Sequence, residues 1–94
     1  MDLKQIRAEI DQIDRQLVDL LEQRMNRITE VVQYKKEKQL SILDQRREKQ
    51  VLDKVERLVK DRQYIKTIQK QFQDIMKRSK EYQSEVSEND EFKN

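Results

Sequence analysis

Neither glycine nor proline occurs anywhere in this chain of 94 residues. Average proteins contain about 7% glycine and about 5% proline. The tight turns of β-sheets draw on both residue types, whereas the interior of an α-helix excludes them. The chain is therefore predicted to fold as an all-α protein.

The spacing of apolar residues divides the chain into three helices. Apolar side chains recur at steps of three and four from Leu3 to Val32, which is typical of one helix face. Asp2 and Asp44 are placed to act as N-caps of the first and second helices. The predicted helices lie at about residues 2–38, 44–61 and 64–84, and the polar segment 85–94 is predicted to fray.

The length of the first helix predicts an intertwined homodimer. At 1.5 Å per residue this helix is about 50 Å long, which exceeds the width of a globule of this size. Only 34% of the residues are hydrophobic and 43% are charged. A short chain with so little apolar surface is hard to stabilise alone. The apolar stripe of the first helix is therefore expected to be covered by a second copy.

Composition removes several functional classes. The chain has no cysteine and no histidine, so disulfides, thiolate chemistry and the commonest general base are absent, and no metal site is expected. The 21 basic and 19 acidic residues are intermixed, which argues against a nucleic-acid surface. No apolar run reaches the ~20 residues of a membrane span, and the first residues lack the apolar region of a signal peptide. A cytoplasmic location is expected.

Polar side chains interrupt the apolar stripe of every predicted helix. Each lies three, four or seven residues from apolar neighbours and so shares their side of the helix. They are Arg24 and Lys35 in the first helix, Asp44 and Glu48 in the second, and Ser79 and Gln83 in the third. Arg7 and Arg47 flank their stripes. A single such residue would suit a coiled-coil specificity contact or a snorkelling side chain. Six together predict a polar pocket inside the helical bundle.

The contents of this pocket favour an anionic ligand. Buried charges need partners or a ligand. Arginine pairs bidentately with carboxylates, and three arginines indicate a ligand with more than one carboxylate. Because histidine and cysteine are absent, nucleophilic and metal catalysis are poorly supplied. The catalytic strategies that remain are positioning of the substrate and electrostatic stabilisation of developing charge.

These residues resemble the all-α chorismate mutase family, chorismate mutase type II. The resemblance extends from Ile6 to Gln83. Its motifs are IRAEIDQID at 6–14, LLEQR at 20–24, Lys35 near a helix end, DQRRE at 44–48, and a C-terminal segment 72–83 with Ser79 and Gln83 four apart. Family members often carry glycine or proline in the loop after the first helix. Residues 36–43 contain neither, so the conformation of this loop stays open.

The resemblance implies a domain at residues 1–84, a three-helix protomer and a dimer with two active sites. It also implies the Claisen rearrangement of chorismate to prephenate, on the route to phenylalanine and tyrosine, without a cofactor. The implied roles divide the pocket as follows: Arg24 and Arg47 bind the substrate carboxylates; Ser79 helps hold a carboxylate; Arg7 reaches into the partner's site; Lys35 and Gln83 hydrogen-bond the ether oxygen; Asp44 and Glu48 hold the hydroxyl end.

Two alternatives stay open at the level of sequence. An isochorismate–pyruvate lyase has the same fold and a similar arginine-rich pocket, and would release salicylate and pyruvate. A non-catalytic dimeric helical module would keep the fold without turnover. The complete set of polar residues favours the mutase.

Overall fold

The computed structural model describes residues 2–92, with side chains described as far as Ser87. Three α-helices follow one another: α1 at Leu3–Glu37, α2 at Gln45–Leu58 and α3 at Ile65–Phe92. A single 3₁₀ turn, Arg62–Tyr64, joins α2 to α3. The described residues contain no β-strand. The prediction of an all-α protomer with one long N-terminal helix is confirmed.

Aspartate side chains begin the helices. The Asp2 carboxylate accepts the backbone N–H of Gln5 at 2.8 Å, and Asp44 accepts the backbone N–H of Arg47 at 3.0 Å. Both satisfy a donor that the first helical turn leaves without an intrahelical acceptor. The two N-caps agree with those expected from the sequence, and Asp44 fixes where the first turn of α2 begins.

Helix α1 ends in a hydrogen-bonded reversal that has no glycine. The N–H of Leu40 donates to the carbonyl of Lys35 at 2.8 Å, and the N–H of Gln39 donates to the carbonyl of Lys36 at 3.3 Å. This is the Schellman pattern, whose central residue adopts the left-handed conformation. Here that residue is Gln39, with φ of 56°. The loop therefore takes the turn that glycine favours, with a glutamine in its place.

Helix α2 ends earlier than the sequence indicated, and α3 ends later. Backbone carbonyls of Glu56 and Val59 accept hydrogen bonds from the Arg62 guanidinium at 2.9 and 3.2 Å, which satisfies the end of α2 near Leu58. Helix α3 continues through Phe92, across most of the segment expected to fray. No glycine or proline stands there to stop it. Residues 93 and 94 lie outside the described residues.

The core is small and centred on α3, which packs against both α1 and α2. Its buried apolar side chains are Val32, Val55 and Met76, one from each helix. A side-chain hydrogen bond of 3.3 Å from Gln69 to the carbonyl of Leu52 also joins α3 to α2. Helix α3 is thus the element that holds the other two helices together.

The first half of α1 contributes no buried residue to the core. Every residue from Asp2 to Leu20 is exposed. The molecule measures 57 × 27 × 15 Å, and its radius of gyration of 16.7 Å exceeds the about 12 Å of a compact chain of this length. The exposed apolar side chains of this half are Leu3, Ile6, Ile10, Ile13, Leu17, Val18 and Leu20. We call them the bare stripe of α1.

Candidate functional site

A cavity of about 280 Å³ lies between the three helices, next to the small core. Seven of the eight residues expected to form the polar site line it: Arg24, Lys35, Asp44, Arg47, Glu48, Ser79 and Gln83. The eighth, Arg7, is exposed on the first half of α1 and is not among the lining residues. Each helix therefore contributes polar side chains to one concave surface.

Two of the basic side chains expected at the site reach the cavity from α1. Arg24 and Lys35 are eleven residues apart, which is about three helical turns, so both face the same side. The Arg24 guanidinium donates to the Ser79 hydroxyl at 2.6 Å. That hydroxyl donates to the carbonyl of Ile75 at 2.8 Å. Ser79 is only 4% exposed, so this chain of two hydrogen bonds fixes the direction of the guanidinium.

Lys35 lies at the end of α1, beside the loop. Its ammonium group donates to the backbone carbonyl of Ile42 at 3.0 Å. An ammonium carries three donors, so this bond leaves capacity for a ligand. The loop conformation set at Gln39 thus helps to place the Lys35 side chain on the cavity wall.

The first turn of α2 supplies a further cation, Arg47. Asp44, Arg47 and Glu48 are spaced so that one helix face carries all three. Burial and, to a smaller extent, the nearby Arg47 guanidinium lower the pKa of Arg24 below its usual value. Arginine nevertheless stays protonated in proteins. The two guanidiniums therefore repel each other across the cavity, and an anion bound between them would relieve that repulsion.

Gln83 is the buried amide of the site. It is 5% exposed, and its side-chain oxygen has no hydrogen-bond partner among the described residues. A buried polar atom left unsatisfied costs about 1–3 kcal/mol. The neighbouring Ser79 on the same helix shows no such deficit. The Gln83 oxygen is thus an acceptor in the cavity wall that a ligand with a hydrogen-bond donor would satisfy, and the amide nitrogen is a potential donor to a ligand.

Sequence reasoning missed two charged residues that line the cavity, Arg27 and Lys80. Arg27 is ion-paired with Glu30 at 2.8 Å on the exposed side of α1. Lys80 forms an ion pair with Glu48, with 2.7 Å between Nζ and Oε1, although the alignment is poor for a hydrogen bond. Lys80 follows Met76 by four residues, and this spacing was the signal that could have found it. The apolar lining residues were expected as core and not as cavity walls.

The side chains that line the cavity carry a net positive charge. Five basic side chains line it, against the two carboxylates of Asp44 and Glu48. Glu48 is engaged by Lys80, and Asp44 caps α2. The cations Arg24, Lys35 and Arg47 are then left without a carboxylate of their own in the cavity wall. A concave surface of this kind attracts and orients an anionic ligand.

Comparison with known families agrees with this arrangement. The model of a family described as chorismate mutase type II matches residues 6–84, which include every residue that lines the cavity. The chain belongs to the chorismate mutase type II family. Comparison with curated proteins and comparison with solved structures each gave no match. The membership confirms the resemblance read from the sequence and supports chorismate mutase-type function in general.

The described residues, 2–92, offer neither a membrane span nor a metal site. None of their helices combines the length and the apolar character needed to cross a membrane. No group of acidic side chains among them is arranged to hold a metal ion.

Proposed function

We propose that this member of the chorismate mutase type II family converts chorismate to prephenate. The observation that carries the proposal is one cavity lined by two guanidiniums whose charges interact, a lysine and a buried glutamine amide. The proposal includes the finer points that the protein acts in phenylalanine and tyrosine biosynthesis, is cytoplasmic and uses no cofactor.

The charge of the cavity suits the substrate. Chorismate carries two carboxylates, one on the ring and one on the enolpyruvyl arm. Arg24 and Arg47 each bind one of them, and Ser79 helps through its hydrogen bond to Arg24. Bidentate pairing fixes the orientation as well as the position of a carboxylate. Two fixed carboxylates hold the arm over the ring, which removes much of the entropic part of the barrier.

The reaction suits the side chains present. In one concerted step the ether C–O bond breaks as a C–C bond forms between the arm and the ring. No nucleophile, proton transfer or electron acceptor is required. Negative charge grows on the ether oxygen in the transition state, and Lys35 and Gln83 donate hydrogen bonds to it. Each donor that is preorganised for this developing charge is worth a factor of about 10²–10³ in rate, which corresponds to several kcal/mol of the activation barrier.

The two acidic side chains of the cavity bind the hydroxyl end of the substrate. Asp44 and Glu48 lie in the first turn of α2, next to Arg47. They hold the ring hydroxyl and orient their basic neighbours. This assignment explains why acidic side chains occur in a cavity for a dianion.

The proposed active form is a homodimer. The bare stripe of α1 pairs with the same stripe of a second copy, as a self-complementary two-fold interface requires. Arg7 lies along this exposed half of α1. In the dimer its guanidinium enters the partner's cavity and completes the arginine set there.

The test is turnover by the purified chain. Wild-type protein is mixed with chorismate, the loss of ultraviolet absorbance is followed, and prephenate is identified as the product. Lys35→Ala is expected to lower the rate by at least about a hundredfold, because it removes a donor to the ether oxygen. Lys70→Ala, an exposed lysine of α3 outside the cavity, is the matched control and should retain the wild-type rate.

The same assay separates the alternatives. Salicylate formed from isochorismate, without turnover of chorismate, would assign the lyase. A folded dimer that is inactive on both substrates would mean that the cavity binds a ligand or stabilises the fold without catalysing a reaction. The mutase proposal would then be abandoned.

A further inference from the structure

Lys80 is a cavity-lining lysine to which the proposed function assigns no role. It follows Ser79 on α3 and precedes Gln83 by three residues. Its ammonium group lies 2.7 Å from Oε1 of Glu48, and the two side chains are 36% and 30% exposed. The pair joins α3 to the first turn of α2. A second, smaller cavity of about 120 Å³ lies on the other side of the pair and is also lined by both residues.

Glu48 has other cations within its cavity. Arg24, Lys35 and Arg47 line the same wall, and none of them has a carboxylate partner among the contacts described above. A carboxylate free to turn would be drawn toward these cations, since opposite charges attract strongly at short range in a partly buried site. It would then occupy the place of a substrate carboxylate.

We infer that Lys80 is a positioning residue that holds the Glu48 carboxylate against α3 and away from the cations of the cavity. The inference rests on the proposed function. Lys80 neutralises Glu48 within the site, so that Arg24, Arg47 and Lys35 remain available to an anion. It also fixes the carboxylate where it meets the ring hydroxyl. Lys80 itself touches neither the substrate carboxylates nor the ether oxygen.

The test compares kcat and KM for chorismate across a double-mutant cycle of Lys80→Gln and Glu48→Gln. Lys80→Gln is expected to lower kcat about tenfold, because a released carboxylate is misplaced. Lys80→Arg should restore most of the rate, since its guanidinium can pair with Glu48. In the Glu48→Gln background, Lys80→Gln should change kcat by less than about twofold. Partly exposed ion pairs contribute little to stability, so these variants should fold.

Lys77→Gln is the matched control, because it removes the same charge one helical turn earlier at an exposed position outside the main cavity. Its kcat should stay within about twofold of wild type. Equal losses on Lys80→Gln in both backgrounds, or a change in KM alone, would overturn the positioning role while wild-type turnover left the proposed function intact. A wild-type chain without turnover would remove the proposed function and this inference together.

Discussion

Ser79 and Gln83 lie one helical turn apart on α3, and both are buried, yet their polar atoms differ in hydrogen bonding. The Ser79 hydroxyl both accepts and donates a hydrogen bond. The Gln83 oxygen has no partner in the described chain. A satisfied buried group contributes to stability, whereas an unsatisfied one lowers it. The unsatisfied Gln83 oxygen thus lowers the stability of the fold, and in return the cavity wall has a polar amide.

The Gln83→Met variant separates these two effects. Methionine has a similar length and no strongly polar atom, so the free energy of unfolding should rise by about 1 kcal/mol. Turnover of chorismate should fall by about a hundredfold or more, because a donor to the ether oxygen is lost. Urea unfolding at one fixed protein concentration and the chorismate assay measure the two quantities. Ser79→Ala is the contrasting variant, since it should lower stability. A loss of stability in Gln83→Met would show that the amide is satisfied in solution.

At this scale the sequence predicted much of the site. Arg24, Lys35, Glu48 and Gln83 were recognisable because polar residues interrupt helical apolar stripes, and helical spacing decides which side chains share a face. Lys80 was not recognised. Its spacing from Met76 could have placed it on the cavity side of α3, but its pairing with Glu48 is a contact between two helices, which spacing within one helix does not reveal.

The helices show what local sequence determines and what it leaves to context. The N-caps Asp2 and Asp44 could be predicted because capping depends on one side chain and a backbone N–H three residues later. Helix ends were harder. Helix α2 stops near Leu58 because the Arg62 guanidinium satisfies its last carbonyls, and a side chain that returns to an earlier carbonyl has no simple sequence signature.

The end of α1 carries the prediction that belongs to this scale. Gln39 adopts φ of 56°, where a residue with a Cβ atom is disfavoured by roughly 1–2 kcal/mol relative to glycine. Gln39→Gly should therefore raise the free energy of unfolding by about 1 kcal/mol, after the greater freedom of glycine in the unfolded chain is deducted. Activity should be retained, because the reversal that places Lys35 is kept.

The control for this change is Gln33→Gly, within α1, which should lower stability by about 1 kcal/mol because glycine disfavours helix interiors. Thermal unfolding of both variants at the same concentration gives the comparison. Equal destabilisation by the two substitutions would mean that Gln39 is not left-handed in solution.

At the scale of the whole molecule, the hydrophobic core lies where α3 packs against α1 and α2. The three buried apolar side chains lie in the second half of α1 and in the helices packed there. The first half of α1 extends away with seven large apolar side chains exposed. Contiguous apolar surface of this kind is typical of a protein contact. The length of the first helix predicted that part of it would extend beyond the core, because a helix of about 50 Å exceeds the width of a globule of this size. The second copy expected to cover it stays a prediction.

A dimer in which Arg7 serves the partner's cavity makes an unusual prediction about mixtures. Arg7→Ala and Lys35→Ala should each be nearly inactive as homodimers. In a heterodimer of the two, one cavity receives an intact Lys35 and an intact Arg7, and the other receives neither. Random exchange of subunits at equal concentrations makes half of the dimers mixed. Each of these has one working site, so the mixture should recover about one-quarter of the wild-type rate.

The matched control mixes Lys35→Ala with Arg24→Ala. Both residues line the cavity of their own chain, so every site in every dimer lacks at least one of them, and no activity should return. The subunits are exchanged by joint unfolding in urea and refolding, and sedimentation confirms that dimers form again. Recovery in the first mixture but not in the second would establish that Arg7 acts across the interface. Failure of both, with dimers formed, would confine the whole active site to a single chain and leave the bare stripe of α1 with a purely structural role.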